Sequence, residues 1–248
     1  MSYPEEQYEL LADTERELES PVMGSGSIGK AISSENRTGD KLAKHAALAG
    51  ISVFVLCTWG IVLSNNPTSL GLFPFHPILQ SLALLCFTYG ILTLQPTSQP
   101  KTKAAGLKRH QIAMIGVGFP CIVLGTLAIV YRKWSRAADH FTTWHGIFGI
   151  AAVVWILFQV LLGGGSIWFG GALFGGSAKA KALWKYHRLS GYILFPLLLA
   201  TAHLGGAWSH WSESESTFAV RLVAYYIAPA VTLVGIYIRV RPSKMNFF

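Results

Sequence analysis

Apolar residues gather into six long runs separated by polar segments, at 46–63, 77–95, 111–131, 146–168, 190–208 and 218–238. Each run approaches or exceeds the ~18 residues that cross a bilayer as a helix. The pattern predicts an all-α membrane protein with six transmembrane helices. Prolines punctuate it. Pro74 and Pro77 flank the start of the second helix, where a missing donor costs nothing. Pro120, Pro196 and Pro229 fall inside the third, fifth and sixth runs. Such prolines are tolerated where neighbours satisfy the carbonyls they free. One membrane domain over 41–241 then accounts for most of the chain, between a tail at 1–40 and a short end at 242–248.

Composition agrees with this picture. Apolar residues make up 52% of the chain and charged residues only 13%, against about 25% charged in ordinary globular domains. The net charge of +8 does not signal nucleic acid, because the charges are segmented. The tail is acidic, and the Lys and Arg residues cluster at helix ends. Lys101, Lys103, Lys108 and Arg109 precede the third helix, and Lys179, Lys181, Lys185 and Arg188 precede the fifth. Arg37, Lys41 and Lys44 precede the first, and Arg239, Arg241 and Lys244 follow the sixth. Apart from Arg132, Lys133, Arg136 and Arg221, the other side is poor in cations, which predicts both termini in the cytoplasm.

The tail has few aromatics and much Glu, Ser and Gly, a composition expected to stay disordered. With no cleavable signal sequence expected in so polar a start, the first helix is predicted to direct insertion. Residues 6–11 read Glu-Gln-Tyr-Glu-Leu-Leu, which resembles an acidic dileucine sorting signal and is equally compatible with a stretch of nascent helix. Read as a signal, it directs the protein to a vacuolar, endolysosomal or other endomembrane, with the plasma membrane as the alternative. The glycine-rich stretch 163–176 reads either as backbone packed close to a cofactor or as a flexible connector. Cys57, Cys86 and Cys121 all lie in apolar runs and read as small core residues.

The chemistry lies in the histidines. His76, His110, His145 and His187 stand 34, 35 and 42 residues apart. A crossing of ~20 residues plus a loop of roughly 14 gives such an interval. Successive members therefore fall at opposite ends of successive helices: His76 and His145 near the outer face, His110 and His187 near the cytoplasmic one. Polar groups at membrane depth are costly and usually functional. Zinc needs about four ligands in one place, whereas these histidines divide two and two. Haem iron takes one ligand on each side of its plane. A competing geometry places two ligands on one helix, with His187 and His203 on the fifth. These are 16 residues apart, a rotation of about 160°, so they face nearly opposite ways. His203, His140 and Arg136 remain candidates for an outer-side acceptor site.

His76-Pro77, Lys108-Arg109-His110, Trp144-His145-Gly146 and His187-Arg188 with Gly191-Tyr192 resemble the cytochrome b-561 family, in its stand-alone form, over roughly residues 45–240. The resemblance implies a core of helices 2–5 holding two haem b groups. It pairs His76 with His145 at the outer haem and His110 with His187 at the cytoplasmic one. It implies oxidation of cytoplasmic ascorbate, or a similar small reductant, and reduction of monodehydroascorbate or a ferric chelate across the lipid bilayer. A homodimer is compatible with it. Lys108 stands where relatives use a lysine to bind ascorbate, and Lys181 where they have an arginine. Arg109 and Lys185 extend that basic approach. Trp134 stands where relatives have an outer-side histidine, which leaves His140 as the nearest replacement. Two readings of other classes remain beside this one: a transporter or proton pathway that uses membrane histidines, and a membrane scaffold that recruits partners through its tail.

Overall fold

The computed structural model describes residues 37–95 and 99–245. The dileucine-like segment lies outside them. Six long helices form the molecule: α1 Asp40–Ser64, α2 Phe75–Thr93, α3 Pro100–Trp134, α4 Trp144–Gly165, α5 Ser177–Trp208 and α6 Phe218–Ile238. Among the described residues there is no strand. All six helices are long and apolar enough to cross a membrane. Large apolar side chains point outward along them, including Leu124 and Leu127 on α3 and Leu157, Phe158 and Leu161 on α4. Exposure on that scale suits lipid rather than water.

Two helices begin well before their apolar runs. α3 starts at Pro100 rather than near residue 111, and α5 at Ser177 rather than near residue 190. The basic segments predicted as loops are therefore helical extensions, about 15 Å of helix ahead of each histidine. Local sequence explains this. Pro100 occupies the first turn of α3, and 178–183 reads Ala-Lys-Ala-Lys-Ala-Leu, all strong helix formers. The glycine-rich stretch between α4 and α5 turns sharply at Phe169, Gly170 and Gly171, all with positive φ.

The prolines are accommodated in two ways. Turns of π-helix at Ile112–Gly118 and Leu222–Ile227 precede Pro120 and Pro229. Freed carbonyls also find partners on neighbouring helices. Tyr192 O, four residues before Pro196, accepts from Tyr237 Oη. Tyr225 O, four before Pro229, accepts from His203 Nδ1 at 2.8 Å.

Small residues let α1 and α6 approach closely. A Cβ at Gly50 would lie 2.7 Å from Ala228 O, and one at Gly235 would lie 2.6 Å from Ala43 O. α2 packs on α3 as one hairpin and α4 on α5 as another. The two hairpins touch each other directly at few points, and the α1/α6 pair bridges them along one flank.

Asp40 ties three helix ends together. It is almost fully buried and pairs with Arg241, while Arg239 donates to Asp40 O and to Gln95 O. Arg37 adds a hydrogen bond to Ile238 O at 2.6 Å. Burial holds Arg239 below the usual guanidinium pKa, and the charge of Asp40 works against that shift.

Candidate functional site

The four recurring histidines meet in two pairs, one toward each end of the bundle. His76 on α2 faces His145 on α4, with ring centroids 5.8 Å apart and planes crossed at 83°. His110 on α3 faces His187 on α5 at 6.3 Å and 86°. Each pair takes one ring from each hairpin, so both span the gap where the hairpins barely touch. Two imidazoles that share one metal through bonds of about 2 Å each hold their centroids roughly 6 Å apart.

Backbone carbonyls fix three of the rings. His76 Nδ1 lies 3.1 Å from Gly125 O, His110 Nδ1 3.0 Å from Gly90 O, and His145 Nδ1 2.9 Å from Thr201 O. A carbonyl can only accept, so each Nδ1 carries the proton and each Nε2 keeps its lone pair. This is the arrangement by which proteins orient a ligating imidazole. His187 Nδ1 is buried without a partner among the described residues, and Gln159 Nε2 donates to the backbone carbonyl of His187 at 3.3 Å.

Glycines complete the cradle, and the pattern is reciprocal. In the first hairpin, α3 supplies Gly125 O to His76 and α2 supplies Gly90 O to His110. In the second, each helix makes room for the other's ring. A Cβ at Gly163 would lie 2.6 Å from His187 Cε1, and one at Gly205 would lie 2.6 Å from His145 Cε1. Each histidine is thus followed on its own helix, 14, 15, 18 and 18 residues later, by a glycine that meets the neighbouring helix's histidine. That signal stands in the sequence, and the histidine spacing alone does not reveal it.

A cavity of about 270 Å³ surrounds His110 and His187. Its depth is apolar, with Phe87, Met114, Phe119 and Phe195, and its walls include Gln95, Lys103, Trp184, Arg188 and Tyr192. Of the residues expected at the donor site, Lys108, Arg109, Lys181 and Lys185 do not line it. Lys108 and Arg109 are exposed on the helical extension of α3, and Lys185 Nζ sits 5.3 Å over the Tyr186 ring. The sequence reading did not single out Gln95, Trp184, Arg188 and Tyr192 as site residues; the fold brings them there.

At the opposite end His203 turns away from the His76/His145 pair. It packs against Tyr226 at 4.5 Å and Trp208 at 5.5 Å while serving Tyr225 O. Arg136 is exposed beyond α3, and His140 rests beside Phe141 in the following loop. Arg132 is the member of that cationic triplet drawn inward, with its guanidinium 5.3 Å over the Phe73 ring.

Two crossed imidazole pairs, each drawn from both hairpins, suit a bis-histidine haem. Among the described residues no three His, Cys, Asp or Glu side chains converge as a zinc site would require. The family model for eukaryotic cytochrome b561 matches residues 75–213, which span all four histidines. The chain belongs to the cytochrome b561 family. Similar proteins include the transmembrane reductase CYB561D2 of Bos taurus, 28% identical over 79% of this chain and 84% of that one. Those of Mus musculus and Homo sapiens are 28% and 29% identical, each over 77% of this chain and 81% of theirs. A b-type haem is therefore the implied cofactor of this cytochrome b561, and the chain is a multi-pass membrane protein of a redox family.

Proposed function

We propose that this cytochrome b561 carries single electrons across its membrane. The donor is ascorbate or a similar small anionic reductant at the basic end, and the acceptor at the other end is monodehydroascorbate or a ferric chelate. His110 and His187 hold one b-type haem, and His76 and His145 a second. The observation that carries this reading is the pair of crossed imidazole couples, one toward each end. The name transmembrane reductase borne by its relatives supports electron transfer in a membrane.

When bound, such a haem would supply a one-electron couple, held at one end by His110 and His187 and at the other by His76 and His145. The chain's own residues do the rest. The Gly90, Gly125 and Thr201 carbonyls hold three imidazoles in the ligating tautomer. Phe87, Met114, Phe119 and Phe195 keep water from the depth of the cavity. The helical extensions of α3 and α5 present Lys101, Lys103, Lys108, Lys179 and Lys181 together with two positive helix N-termini. Cations and helix ends of one sign add, so this face draws anions toward the cavity. The Lys and Arg asymmetry supports a cytoplasmic position for this end and for both termini.

The visible spectrum of purified protein with a haem-to-protein ratio tests the proposal. Two low-spin b-type haems per chain are expected, and a chain that takes up none overturns it. Gly205→Ala is expected to crowd His145 and remove the signal of one haem. A haem-to-protein ratio equal to wild type would contradict the cradle geometry. Lys108→Ala and Lys181→Ala act on approach, since both lysines lie outside the cavity wall. Each is expected to slow reduction by ascorbate several-fold at low ionic strength, with the deficit shrinking as salt rises. Reduction by dithionite stays complete. Rapid-mixing spectroscopy reads this, and a deficit unchanged by salt would point to direct contact instead.

A further inference from the structure

α5 presents a row of hydrogen-bond donors to the cavity at one-turn intervals: Trp184, Arg188 and Tyr192. Residues four apart share a helix face. Trp184 Nε1 is buried with no partner among the described residues, and an indole N–H can only donate. Tyr192 Oη accepts from Gln95 Nε2 and keeps its own O–H as a donor. Between them along the helix stands Arg188, which also lines the cavity and whose Nη1 donates to Lys244 O in the C-terminal turn.

The charges at this end do not balance. Asp40 pairs with Arg241 and lies beside Arg239. Among the described residues no carboxylate lies within ion-pair distance of Arg188. A partly buried guanidinium without a counter-ion is unfavourable unless a ligand supplies one. A planar fork of N–H groups suits an oxygen anion in particular.

We infer that the Trp184–Arg188–Tyr192 row on α5 is an anion-binding wall that takes a carboxylate or enolate oxygen inside the cytoplasmic-end cavity. This rests on the proposed function. Two sources carry that chemistry: a propionate of the haem held by His110 and His187, or the anionic reductant itself. The wall differs from Lys108 and Lys181, which raise the local anion concentration without lining the cavity.

Arg188→Gln and Trp184→Phe test it in full-length, haem-loaded protein. Trp184→Phe keeps the ring and removes only the N–H. Two quantities are read: the rate of haem loss to apomyoglobin, and the ascorbate concentration giving half-maximal haem reduction. If the ligand is a propionate, haem loss accelerates about tenfold or more in Arg188→Gln and less in Trp184→Phe. That difference then vanishes with haem dimethyl ester. If the ligand is the reductant, haem loss is unchanged and the half-maximal ascorbate concentration rises about tenfold or more. Reduction by a neutral hydroquinone then stays at the wild-type rate.

Truncation after Arg241 removes the Lys244 carbonyl and keeps the cation, so both readouts stay at wild-type values. If the truncation reproduces Arg188→Gln, the arginine anchors the C-terminal turn and the inference falls. It also falls if Arg188→Gln matches wild type in both readouts. Should Arg188→Gln fail to assemble, Trp184→Phe decides on the same measurements. A wild-type chain without haem would instead overturn the proposed function.

Discussion

His110→Ala and His187→Ala are each expected to remove the haem signal of the cytoplasmic end and to leave the other in place. His76→Ala and His145→Ala are expected to do the reverse. The two rings of each pair come from different hairpins and face each other at 5.8 and 6.3 Å, so on the proposed function losing either ring would leave the haem iron with one protein ligand. His203 is no ready substitute, because it faces α6 and serves Tyr225 O. Redox titration of the purified variants, followed in the visible band, separates the two components. If His76→Ala and His110→Ala lost the same component, the pairing would be wrong. Loss of all haem in each single variant would mean that neither site forms alone.

Asp40→Ala is expected to be the most destabilising change outside the haem cradle. Asp40 is the only carboxylate among the described residues that pairs with the arginines at the meeting point of α1, α2 and α6. Its loss frees Arg241 and takes the compensating charge from beside Arg239, which is nearly fully buried but keeps its two backbone acceptors. Removing one partner from a buried ion pair costs about 3–5 kcal/mol. At the steepness usual for chains of this size that is a fall on the order of 10 °C in melting temperature. Asp40→Asn keeps the shape and much of the hydrogen bonding, so a smaller fall is expected. Thermal unfolding in detergent, followed by tryptophan fluorescence, reads both. Equal melting temperatures for Asp40→Ala and wild type would show that the cluster contributes no net stability.

Six spans and the division of the histidines were legible in the sequence because both depend on distances along one helix. Hydropathy marks where a helix enters lipid, and a near-constant interval marks which end a residue occupies. The helix starts at Pro100 and Ser177 were not legible by that route. A hydropathy window ends at the first lysines, whereas the backbone continues through Ala-Lys-Ala-Lys because nothing breaks it. The cavity wall was hidden for another reason. Gln95 meets Tyr192 across 97 residues, and Asp40 meets Arg241 across 201. Contacts of that range are set by how helices pack, which a single sequence read locally does not encode. His203 shows the opposite case, a histidine with a plain structural duty. It satisfies the carbonyl freed by Pro229, and the two are 26 residues apart on neighbouring helices.

The sparse contact between the α2/α3 and α4/α5 hairpins has a consequence for the cell. Each hairpin can form from contacts within itself as the chain enters the membrane. On the side away from α1 and α6 the two hairpins make few direct contacts, so on the proposed function haem held by the histidine pairs would join them. A ligand that binds only the assembled form stabilises it by mass action. Newly made chains that meet no haem keep two loosely joined halves, and loosely joined halves are what membrane quality control degrades. On the proposed function, the abundance of the protein is then expected to follow the cell's haem supply after synthesis, with no transcriptional signal needed.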